Sequence, residues 1–91
     1  MKAYERLNNP KSWTTRTGAR NMAGMAVPYT SEEAISFCLS SMVKLCYGPK
    51  MVEQIFIKMS YEIGTHNIEE WNDRTTTKHP DVLKLLKKLN V

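Results

Sequence analysis

The sequence predicts an all-α fold: a small single-domain bundle (residues 1–91) of three main helices plus short helical turns, with an irregular N-terminal third. Two observations carry that expectation. Apolar residues recur at helical spacing in three stretches after residue 30, each bounded by a capping or breaking residue, and no β-type alternation of useful length appears. With 91 residues, 42% hydrophobic and 24% charged side chains, the chain holds one ordinary domain and has no room for a second.

Taken in order, Ala3 to Leu7 suits a helical turn stopped by Asn8-Asn9-Pro10, and Ser12 to Arg20 shows no sustained period. Trp13, Met22, Met25, Val27 and Tyr29 are expected to pack this segment across the helical body. Thr30 and Glu33 have capping-box spacing. From there Ile35, Cys38, Leu39, Met42, Val43 and Cys46 recur at helical spacing until Gly48-Pro49, predicting a central helix over Ala34 to Tyr47. Pro49 suits the first turn of the next helix, whose buried face is Val52, Ile55, Phe56, Met59 and Ile63 and whose end is Gly64. Asn67 and Glu70 cap a short turn around Ile68 to Trp71. Pro80-Asp81 opens a last helix with the stripe Val82, Leu85, Leu86, Leu89, and Lys84, Lys87 and Lys88 lie toward its C-terminal end, where cations suit the dipole.

The net charge of +4 is local. Lys2, Arg6, Lys11, Arg16 and Arg20 stand against Glu5 alone in the first twenty residues, and the remainder is neutral. No stretch approaches the ~18 apolar residues of a membrane span, and Met1 to Arg6 lacks the apolar core of a signal peptide. The expectation is a cytoplasmic protein with no membrane contact. Cys38 and Cys46, eight apart on one expected helix, would lie ~12 Å apart along its axis, beyond disulfide reach.

The order of features resembles a family of small uncharacterised proteins of bacteria and their phages. The residues that carry it are Trp13, Arg20-Asn21, Gly24, Ala34-Ile35-Ser36-Phe37-Cys38-Leu39, and Trp71-Asn72-Asp73 before the Leu-rich Asp81 to Leu86. Two positions depart from the pattern. Ser40-Ser41 stand where the family often has Gly-Ala, and Lys78 stands three before Asp81 where a Thr cap is usual, which leaves His79 or Thr77 as the expected cap. The resemblance implies a fold and a phage or bacterial accessory role, with the host cytoplasm as the setting if phage-encoded; it implies no activity.

Several groupings have the residue types of a site. Trp71, Asn72 and Asp73 combine an aromatic face with an amide and a carboxylate; the competing role is a core Trp followed by two loop-capping side chains. Cys38, mid-helix on an apolar face, lacks the setting that activates a thiol and reads as core. Two cysteines eight apart and histidines thirteen apart fit no zinc pattern, and the glycines form no phosphate loop, so neither metal nor cofactor is expected. His66 with Glu69, Glu70 and Asp73 reads as a polar turn, and no catalytic residue is assigned.

Lys11, Trp13, Arg16 and Arg20 interleave cations with an aromatic, as single-strand binders do, but no recognition helix accompanies them. Such arginines can equally tie an irregular segment to carboxylates and carbonyls. The sequence therefore points to a non-enzymatic interaction protein that binds a protein partner or itself. Lys11, Trp13, Arg16, Arg20, Trp71, Asn72 and Asp73 are the candidate contacts, and a homodimer would use the central helix or the C-terminal Leu stripe. Nucleic-acid association through the N-terminal cations is the alternative.

Overall fold

A computed structural model describes residues 1–91. The chain runs α1 (Ala3–Arg6), a 3₁₀ turn (Pro10–Ser12), β1 (Ala19–Arg20), β2 (Ala26–Val27), β3 (Ser36–Phe37), α2 (Leu39–Cys46), α3 (Pro49–Ile63), α4 (Ile68–Asp73) and α5 (His79–Leu89). The all-α expectation is wrong: the fold is α+β, five helices with a three-stranded antiparallel sheet in the order β2-β1-β3.

The sheet forms where the sequence has turn chemistry and no helical period. Asn21 bends the chain by accepting the amides of Ala23 and Met25 on its side chain, both at 3.0 Å, and Gly24 takes φ +81. This returns β2 onto β1, with Ala19 opposite Val27 and Arg20 opposite Ala26. On the other edge of β1, Ala19 faces Phe37 and Arg20 faces Ser36. That pairing draws residues 35–37 out of the expected helix, because the Ile35 amide bonds the Arg20 carbonyl at 2.9 Å. Ser31, not Thr30, makes the local side-chain bond, to the Glu33 amide, and no helix starts there.

The central helix is consequently shorter than expected, and Cys38 is its N-cap, with Sγ 3.5 Å from the Ser41 amide. The mid-helix placement of Cys38 is thereby corrected. The later helices begin and end close to the expected residues. Gly48 precedes Pro49 and Gly64 ends α3 at φ +74, while Asn67 accepts the Glu70 amide at 2.9 Å. At α5 the cap is Lys78, neither His79 nor Thr77, and Asp81 accepts the Lys78 amide at 2.8 Å.

One core joins all of this. Leu39, Met42 and Val43 of α2 meet Ala3 and Leu7, Ile55 and Met59, Ile68, and Val82, Leu85 and Leu86, with Ala19 and Phe37 closing the sheet side. The C-terminus is tied in: the Val91 carbonyl accepts the Ala3 amide at 2.6 Å and the Tyr47 hydroxyl. Trp13, Val27 and Tyr29 pack against the core as expected, but Met22 and Met25 do not, being 87% and 66% exposed. No helix is long and apolar enough to cross a membrane.

Candidate functional site

The first turn of α2, the last turn of α4 and the strap after the 3₁₀ turn converge on Asn72. Its side chain is wholly buried. Oδ1 accepts the Trp13 indole N–H at 2.7 Å and the Leu39 amide at 3.1 Å, and Nδ2 donates to the Thr14 carbonyl at 3.2 Å and to Asp73 Oδ1 at 3.0 Å. All the hydrogen-bonding capacity used lies on three separate pieces of chain. Asp73 Oδ1 also accepts the Arg16 amide at 2.8 Å, which holds Arg16 at φ +69, a conformation that non-glycine residues adopt only when tied.

The Trp13 ring lies 6.2 Å from that of His79. The His79 Nε2–H donates in turn to the Leu7 carbonyl at 2.6 Å, joining the end of α1 to the start of α5. Asn72 and Asp73 organise the backbone of the N-terminal segment, the loop-capping role weighed from the sequence, extended over three elements. Trp71 is half-buried and turns toward a different surface, between α4 and α5.

The basic residues divide. The Arg20 guanidinium bonds Thr14 Oγ1 at 2.9 Å, the Gly24 carbonyl at 3.0 Å and the Thr15 carbonyl at 3.1 Å, clasping both loops that flank β1. Lys11 and Arg16 are exposed and form no ion pair. Of the seven candidate contacts, Trp13, Asn72, Asp73 and the Arg16 backbone come together, the Arg20 guanidinium holds the same segment through Thr14 and Thr15, and Lys11 and Trp71 lie elsewhere. Replacing Arg20 with Ala should lower unfolding free energy by about 1–2 kcal/mol in a urea titration, and Lys should not rescue it, since one ammonium does not reproduce a three-way fork. Lys11→Ala should stay within about 0.5 kcal/mol.

Cys38 lines a small cavity of about 160 Å³ with Ser40, Ser41, Lys44, Glu69 and Asp73. Its thiol is buried and lies 3.2 Å from Ser41 Oγ and 3.4 Å from Ser40 Oγ. Gly18 passes so close that an added Cβ would lie 3.0 Å from Ser41 Oγ. Burial pushes the other thiol, Cys46, above its usual pKa. No three His, Cys, Asp or Glu side chains are arranged to hold a metal ion. His66 faces a separate cleft with Ser40, Phe56 and Glu69.

Comparison of the chain with protein-family models, with curated proteins and with solved structures finds no match.

Proposed function

We propose that this is a non-enzymatic interaction protein that binds a protein partner or a second copy of itself. The observation that supports this is the exposure of Met22, Met25 and Ile35, large apolar side chains 87%, 66% and 50% exposed at one end of the sheet, with Met22 and Ile35 lining one shallow cleft. Next to Met25, the outer edge of β2 pairs with no strand. Two flexible thioethers, a β-branched side chain and an open edge are what an adaptable contact surface needs, and keeping three such groups in water has no stabilising use in the monomer. The surfaces expected from the sequence are taken: Leu39, Met42 and Val43, like Val82, Leu85 and Leu86, are buried inside the monomer.

A phage or bacterial accessory role rests on the sequence resemblance alone. Nucleic-acid contact through the N-terminal cations has less support, because Arg20 is tied to carbonyls and Lys2 to Asn90, which leaves Arg6, Lys11 and Arg16 exposed.

The test is a Met22→Ser/Met25→Ser/Ile35→Ser variant compared with the native chain by sedimentation and by capture from the native cell. The variant should melt within about 0.5 kcal/mol of the native protein yet lose association. Association unchanged in the variant sinks the proposal. Association that weakens steeply between low and physiological salt favours the nucleic-acid alternative.

A further inference from the structure

A shallow cleft of about 430 Å³ lies between the β1–β2 turn and the chain that leads into β3, lined by Asn21, Met22, Ala23, Glu32, Glu33 and Ile35. Both walls stand on bonded backbone. In the turn, Asn21 Oδ1 accepts the Ala23 and Met25 amides, and the Gly24 amide donates to the Asn21 carbonyl at 2.9 Å. Opposite, Ser31 Oγ accepts the Glu33 amide at 3.1 Å, the Ser31 carbonyl accepts the Ala34 amide at 3.2 Å, and the Arg20 carbonyl holds the Ile35 amide. The backbone under the cleft is thus ordered in the free protein, so binding there has little loop entropy to offset.

The charge of this surface has one sign. Glu32 and Glu33 are exposed, and neither carboxylate takes part in an ion pair. They are the only charged residues from Asn21 to Val43, in a chain whose net charge is +4. The cations that bound that stretch do not line the cleft: the Arg20 guanidinium is committed to Thr14, Thr15 and the Gly24 carbonyl, and Lys44 Nζ lies 6.0 Å from the centre of the Tyr29 ring. Exposed Met22 and Ile35 beside two unanswered carboxylates complement a segment that is both basic and apolar. A second copy brings the same two carboxylates and no cation to this surface, so like charges oppose two-fold pairing through it.

We propose that this cleft binds a basic, apolar segment of a different protein, with Lys or Arg side chains against Glu32 and Glu33 and aliphatic side chains against Met22 and Ile35. The inference rests on the interaction reading above and names the chemistry of the partner. Two exposed carboxylates make the salt dependence shallow, unlike that of phosphate binding. The probe is the end-capped peptide Lys-Leu-Lys-Leu-Lys, titrated into the ¹⁵N-labelled full chain, with Glu-Leu-Glu-Leu-Glu and Lys-Ser-Lys-Ser-Lys as controls. The amides of Met22, Ala23, Glu32, Glu33 and Ile35 are followed.

Saturable shifts confined to these amides are expected with the Lys-Leu peptide, with Kd on the order of 1 mM, and none with the acidic one. The Lys-Ser peptide should bind about fivefold more weakly, and so should the Lys-Leu peptide to Glu32→Gln/Glu33→Gln, a variant that folds normally because neither side chain bonds anything. The proposal is overturned by the absence of saturable shifts at ~10 mM of the Lys-Leu peptide, by equal affinity for the acidic peptide, or by native affinity in the glutamine variant. A native mass that rises with concentration, and does so less in the glutamine variant, makes a second copy the occupant and overturns it too. Capture from the native cell separates this inference from the reading beneath it. A partner kept by the glutamine variant but lost by the Met22→Ser/Met25→Ser/Ile35→Ser variant removes the basic segment and leaves the surface, whereas a partner kept by both removes the surface itself.

Discussion

Asn72→Ala should lose on the order of 3 kcal/mol of folding stability. The exchange removes a side chain with no exposed surface and strands four groups at once: the Trp13 indole N–H, the Leu39 amide, the Thr14 carbonyl and one side of Asp73. A buried polar group left without a partner costs about 1–3 kcal/mol, and the partly exposed ones here recover some of that from water. A domain of this length has about 5–10 kcal/mol in total, so the variant should melt roughly 10–20 °C lower. Asn72→Asp is the sharper probe. It keeps an acceptor for Trp13 and Leu39 but sets a carboxylate against the Thr14 carbonyl and Asp73 Oδ1, so it should be no more stable than the alanine variant. A loss below about 1 kcal/mol in both would show that the three segments are held by packing alone.

The same residue shows how far the sequence could be read. Its chemistry was legible, since a short amide beside a chain reversal caps backbone groups. Its partners were not, because they lie 59, 33 and 58 positions away and no local pattern announces them. The helices after residue 48 were legible for the converse reason. Pro49, Gly64 and the Asn67–Glu70 pair act within a few residues of themselves.

The sheet was hidden because each strand has two residues, too few for alternation to show. Ile35 lies at helical spacing from Cys38 and Leu39, yet the Arg20 carbonyl claims its amide. Cys38 went unrecognised as a cap because thiols are outside the usual capping set. Trp71, Thr77 and Lys84 sit in three separate local patterns, and only the packing of the helix ends shows that they border one cleft.

Leu86→Ala is the second large effect, and it separates two roles that the leucine stripe of α5 has in the sequence. As an interface, the stripe would be exposed in the monomer, and truncating it would lower association while sparing the fold. In the structure Leu86 is fully buried, in one cluster with Ala3, Leu7, Leu39 and Met42. The turn that follows it is tied down as well: the Val91 amide bonds the Leu86 carbonyl at 3.0 Å, and the Val91 carbonyl accepts the Ala3 amide. A neighbourhood anchored from three elements has little freedom to collapse onto a void, and the cost of a cavity grows with the volume left unfilled. Leu86→Ala should therefore lose about 3 kcal/mol in a urea titration, against about 1 kcal/mol for the half-buried Leu89→Ala. The mass in solution should be the native one in both. If Leu86→Ala instead changed the mass at unchanged stability, the stripe would be an interface after all, and the exposed Met22, Met25 and Ile35 would lose their place as the contact surface.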